Sequence, residues 1–164
     1  FNVVINESLA IPKFAEIGET VLPTAFMPPL YLYFIYFVKN LSNELVGIAP
    51  LIVFLQIVLS LISIFMIYII IKNLTESKFL TRFFTIAFAF FPINVYASSQ
   101  ISSVSLQILL SLIFFYYLLL FLKKNELKYI LIFSVIGGLL ILIRGEFLIL
   151  YFFTLFYFFI FYKL

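Results

Sequence analysis

The residues of this chain that could do chemistry are few, and each sits in an oily neighbourhood. Arg144 and Glu146 flank a single glycine within GGLLILIRGEFLIL, residues 137–150. Ionised side chains in such surroundings are costly unless the chain turns there or the charges serve a function. A guanidinium at a membrane face can grip a lipid phosphate through two parallel hydrogen bonds. The alternative is a turn residue that reaches for water and pairs with Glu146. Gln56, Ser60 and Ser63 recur at i, i+4 and i+7, and Ser103, Gln107 and Ser111 at the same kind of spacing, so each trio makes one polar stripe on a helix. Such stripes either line a substrate path or supply interhelical hydrogen bonds and close packing. Glu7, Glu16 and Glu19 could offer a carboxylate as general base, or belong to an ordinary solvated loop.

Composition removes most other chemistry. The chain has no Cys and no His, which excludes disulfides, thiol nucleophiles, the usual zinc sites and histidine general bases. No Walker loop, dinucleotide fingerprint or metal-ligand cluster is present. No cofactor is evident, and the question of a divalent metal stays open. The net charge of +3 comes without a basic, aromatic-interleaved surface run, so nucleic acid is not an expected partner.

The elements that must position these residues are set by hydropathy. With 66% hydrophobic and 10% charged residues, the chain has far too much apolar surface for a water-soluble domain. The class expected is an all-α, polytopic membrane helix bundle. Spanning a bilayer takes about 20 apolar residues in a helix. Transmembrane spans are predicted over 46–71, 83–97, 104–122, 129–143 and 147–162, with Pro92 kinking or ending the second of them. A polar loop is expected over 72–82 and charged loop residues over 123–128. As one helix, 129–162 would be about 51 Å long, well beyond a hydrocarbon core of about 30 Å, so a break is placed at Arg144-Gly145-Glu146, with the glycine permitting the turn.

Five spans give a test of orientation. Lys72, Lys78, Arg82, Lys123, Lys124, Lys128 and Lys163 fall on one side, and Lys13, Lys39 and Arg144 on the other. The richer side is cytoplasmic by the positive-inside rule, which puts Arg144 at the outer face. Residues 1–45 are then an extracytoplasmic loop, and 46–164 the transmembrane region. Pro29 suits a helix start, and the short apolar run 30–38, with Tyr31, Tyr33 and Tyr36, is placed as a helix in the outer interface. The opening stretch has no charged and apolar regions of a signal peptide, and the chain is expected to be a piece of a longer protein.

The order of these elements resembles the polytopic GT-C glycosyltransferases, in the group of protein O-mannosyltransferases and the lipid A aminoarabinose transferase. The residues that carry the resemblance run nearly the length of the chain: FMPPLYLYFIYF with Pro28, Pro29, Leu30 and Tyr31; FAFFPINVYASSQISS; and YILIFSVIGGLLILIRGEFLILYF with Gly138, Leu139 and Arg144. The resemblance implies inverting transfer of a sugar from a polyprenyl-phosphate donor to an acceptor glycan, lipid or protein on the non-cytoplasmic face. The partners it implies are the bilayer and the lipid-linked sugar; the location expected is integral and multi-pass, in a bacterial or archaeal plasma or inner membrane. It also implies an acidic base, usually Asp, soon after a first transmembrane helix. No Asp occurs here, so the base is expected upstream of Phe1, Glu7 is a poor substitute, and the piece alone is expected to be inactive. Arg144 would hold the donor phosphate, with Glu146, Tyr96 and Gln100 as possible cavity lining. The rival readings are a transporter or flippase for lipid-linked glycans, an O-antigen-polymerase-like enzyme, and a structural membrane subunit.

Overall fold

The computed structural model describes residues 28–42 and 47–162. Among the described residues the chain forms seven α-helices and no strand: α1 (Pro29–Leu41), α2 (Ile48–Leu74), α3 (Lys78–Ala89), α4 (Pro92–Ser99), α5 (Val104–Lys124), α6 (Leu127–Ile143) and α7 (Phe147–Tyr162). Helices α2 and α5 are each long and apolar enough to cross a membrane alone, and α3 with α4 qualifies as one pair bent by 45°. The apolar α6 and α7 are shorter; the 17 residues of α6 reach about 25 Å, slightly under a typical hydrocarbon core.

Punctuation in the sequence explains most boundaries. Pro29 and Pro92 each occupy the first turn of a helix, where the missing N–H costs nothing and φ is already set. Phe91, before Pro92, is held extended, which ends α3. Pro92 has no N–H for the Phe88 carbonyl, which accepts instead from the Phe91 N–H at 3.2 Å and from Asn94 Nδ2 at 2.8 Å. Helix α5 stops at Asn125, which adopts the left-handed conformation at φ 51° and donates its N–H to the Phe121 carbonyl at 2.7 Å.

Two expectations are corrected. The loop over 72–82 contracts to 75–77, because α2 runs on to Leu74 and Ser77 caps α3, its Oγ accepting the Leu80 N–H at 3.4 Å. The break at 144–146 stands where it was expected, but the glycine does not make it. Arg144 leaves the helix in extended conformation (φ −148°, ψ 121°), whereas Gly145 stays outside the left-handed region and a Cβ there would meet nothing within 4 Å.

Basic side chains gather at one end of the bundle. Lys123 Nζ donates to the Asn73 carbonyl, which brings the ends of α5 and α2 together. Lys124 and Lys128 both lie over the Tyr129 ring, at 5.8 and 4.9 Å from its centroid. Between the ends, α5 and α6 pack around Phe114 and Phe133, whose rings meet edge to face at 5.6 Å and 87°. Lipid tails are as apolar as these rings, so the pairing depends on close van der Waals contact rather than on escape from water. Gly137 extends that contact to α7 by leaving room for the ring of Tyr151.

Candidate functional site

At the end opposite the lysines, a buried glutamine ties three segments together. Gln56, 1% exposed, projects from α2 about 12 Å along the axis from Ile48. Its Nε2 donates to Tyr31 Oη of α1 at 3.1 Å and to the carbonyl of Ser102, in the turn before α5, at 2.5 Å. Because that carbonyl can only accept, the amide must present its NH2 group there. Desolvation by burial pushes the Tyr31 phenol up to about 12, partly countered by the Gln56 hydrogen bond, so the group is a neutral hydroxyl at physiological pH. The Pro-Pro-Leu-Tyr stretch thus has a physical part: Pro28 and Pro29 start α1, Leu30 is half-buried, and Tyr31 carries the anchor.

The interhelical reading of the first polar stripe therefore holds for Gln56. Ser63 turns inward to its own helix, donating to the Leu59 carbonyl at 2.9 Å. A small void of about 10 Å³ lies between Ser60, Ser63, Asn94 and Ser105, the scale of a single water.

Beside this knot an open groove of about 710 Å³ runs between α2, α3, α4 and α5. Its walls are mostly apolar, with Ile67, Ile71, Phe84 and Phe88 among them, and its polar side chains are Asn94, Gln107 and Arg144. Ile71 lies one residue before Lys72, at the basic end of the bundle. Arg144 closes α6 about 24 Å along the axis from Lys128, so the groove joins the apolar middle of the bundle to a guanidinium towards the far end. Arg144 is exposed and makes no ion pair with Glu146, also exposed; the ion pair found among the described residues is Lys128 with Glu126, at 2.5 Å. The Arg144 backbone is fixed, its N–H donating to the Leu140 carbonyl and its carbonyl accepting from the Phe147 N–H, and its side chain lines the groove from there.

Of the expected lining residues, Tyr96, Gln100 and Glu146 do not line this groove. On α4 the buried positions are Asn94 and Ala97, which puts Tyr96 on the outward face, 68% exposed. Gln100 falls in the turn beyond α4 and is exposed. Glu7, with Glu16 and Glu19, lies outside the described residues. The groove includes two polar residues that had not been marked as site residues. Gln107 stood out only as part of a stripe, and Asn94 gave no signal beyond its place after Pro92.

Among the described residues no three acidic, His or Cys side chains come close enough to hold a metal. A family model, dolichyl-phosphate-mannose-protein mannosyltransferase, matches residues 27–163. No curated protein and no solved structure matches the chain. The family match covers all of the elements just described, and the chain belongs to this family of membrane glycosyltransferases.

Proposed function

We propose that this mannosyltransferase-type protein moves a sugar from a polyprenyl-phosphate donor to an acceptor on the non-cytoplasmic face of its membrane, with inversion at the anomeric carbon. The observation that carries the reading is the groove: apolar walls for a long isoprenoid tail, ending at an unpaired guanidinium. The clustering of Lys72, Lys123, Lys124 and Lys128 at the opposite end supports a cytoplasmic assignment for that end. It supports an outer position for Arg144.

In this scheme the acceptor hydroxyl attacks the anomeric carbon, its proton passing to a base, and the bond between that carbon and the donor phosphate oxygen breaks. The polyprenyl phosphate departs with an additional negative charge. Arg144 stabilises that developing charge through charge-assisted hydrogen bonds to the phosphate. A carboxylate outside the described residues supplies the base.

The test is transfer of radiolabelled sugar from polyprenyl-phosphate donor by the full-length protein. Arg144→Gln, which keeps length and polarity but not charge, should lower the rate of transfer by about 10²- to 10³-fold, the usual effect of losing one donor to a developing anion. Unchanged transfer would return Arg144 to the role of a turn residue.

A further inference from the structure

Most of the described cations at the basic end of the bundle are engaged by the chain itself. Lys72 lies over the Tyr68 ring at 6.0 Å and Lys124 over the Tyr129 ring, Lys123 donates to the Asn73 carbonyl, and Lys128 pairs with Glu126. Lys78 and Arg82 of α3 differ. Both are exposed, and among the described residues neither side chain has an ion pair, a hydrogen bond or a ring beneath it. Glu76, the carboxylate of the 75–77 loop, is exposed too and pairs with neither.

Their spacing carries a cost. Four residues apart, the two side chains share one face of α3, and like charges at that spacing oppose the helix. Lys78 is also the first residue of α3, the end at which a cation opposes the helix dipole. One anion held between the two cations offsets both costs. The apolar neighbours indicate which anion fits. Phe79 and Phe83 each follow one of the cations, and their rings stack at 6.3 Å and 17° while staying 74% and 55% exposed. Because α3 and α4 together make a membrane span, this ridge of rings faces acyl chains. Arg82 stands about 6 Å further along the axis than Lys78, so the cations line the start of the ridge. A guanidinium grips phosphate oxygens through two hydrogen bonds, and an ammonium adds a point charge. A free phosphate uses the cations and not the rings. A zwitterionic lipid brings its own cation to its phosphate. A phospholipid of net negative charge uses cations and rings together.

We propose that Lys78 and Arg82 bind the phosphate of an anionic phospholipid whose acyl chains lie along Phe79 and Phe83. Neither cation lines the groove that ends at Arg144, so the site does not depend on the donor reading above.

The experiment is equilibrium binding of phosphatidylglycerol and of phosphatidylcholine with the same chains to the full-length protein in micelles, read by native mass spectrometry. Wild type should bind phosphatidylglycerol about 30-fold more tightly, from about fivefold for each cation close to an anionic headgroup. The Lys78→Gln/Arg82→Gln double variant should erase that preference, and Lys124→Gln should keep it. Equal wild-type affinity for the two lipids overturns the proposal without reliance on any variant folding. So does a preference that survives the double variant, or one that Lys124→Gln lowers as far, which would assign it to the summed charge of the basic end. Inorganic phosphate, against chloride at matched ionic strength, should not displace phosphatidylglycerol; displacement would make this a free-anion site and overturn the lipid assignment.

Discussion

Replacing Gln56 by Leu should unfasten α1 from the bundle. The side chain is 1% exposed and makes two hydrogen bonds, one to Tyr31 Oη and one to the Ser102 carbonyl. Interhelical side-chain hydrogen bonds in membrane proteins average about 0.6 kcal/mol and reach about 1.7. Losing both sums to about 1–3 kcal/mol. The Leu also removes the unpaired Gln56 Oε1, which offsets part of that loss, so the expected cost is about 1–2 kcal/mol. Tyr31→Phe keeps the ring and deletes one bond, at an expected cost of about 0.6–1.5 kcal/mol. The double variant should be little worse than Gln56→Leu alone, because the Tyr31–Gln56 bond can be lost only once. A double-mutant cycle on the reversible unfolding of the full-length protein in mixed micelles measures this directly. A coupling of about 0.6 kcal/mol or more is expected. Additive costs would mean that the two side chains do not bond in the membrane, and a Gln56→Leu protein as stable as wild type would remove the knot altogether.

Tyr31 also gives the fold a high-pH limit. Its phenol ionises near 12 when folded and near 10 when unfolded, so its contribution is intact below pH 10 and is lost as pH rises towards 12, where the unfolded chain has already released the proton. Unfolding midpoints measured from pH 9 to 11.5 should fall less steeply for Tyr31→Phe than for wild type; parallel curves would contradict the burial of the phenol. The adjacent glycines of α6 should respond in opposite ways. A Cβ on Gly137 would come within 2.8 Å of the Tyr151 ring and 3.3 Å of Phe114, so Gly137→Ala should cost about 1–3 kcal/mol by forcing α7 outward. Gly138 has nothing within 4 Å, and Gly138→Ala should leave the thermal midpoint unchanged or raise it, since Ala favours helix over Gly by about 1 kcal/mol. Equal losses from both variants would show that α7 does not dock at Gly137.

Helix existence was legible because hydropathy and proline act locally. The spans expected over 104–122, 129–143 and 147–162 differ from α5, α6 and α7 by two residues or fewer at each described boundary. Pro92 breaks α3 from α4 because ring geometry needs no tertiary context. The ends beside polar residues were less legible. Capping by Ser77 turned most of an expected loop into helix, and Arg144 rather than Gly145 makes the last break. Side-chain roles were harder still. Spacing shows that Gln56 and Gln107 each lie on a polar stripe, but it does not show which partner faces the stripe. That depends on how α1, α4 and α5 pack.

The two glutamines differ in what their amide groups hold together. An amide among apolar helices must find partners or remain a standing cost. Gln56 donates to α1 and to the turn before α5, and Asn94 donates to a carbonyl freed by Pro92, so both stabilise the scaffold with the bonds they make. Gln107 and Arg144 share a groove, one with an acceptor unfilled and the other without an ion pair. Each glutamine keeps a buried, unpartnered Oε1, so what separates them is the pair of bonds that the Gln56 NH2 group makes to α1 and to the turn before α5. Under the proposed function, the ligand that meets Arg144 brings an anion and a tail that the apolar walls of the groove can hold.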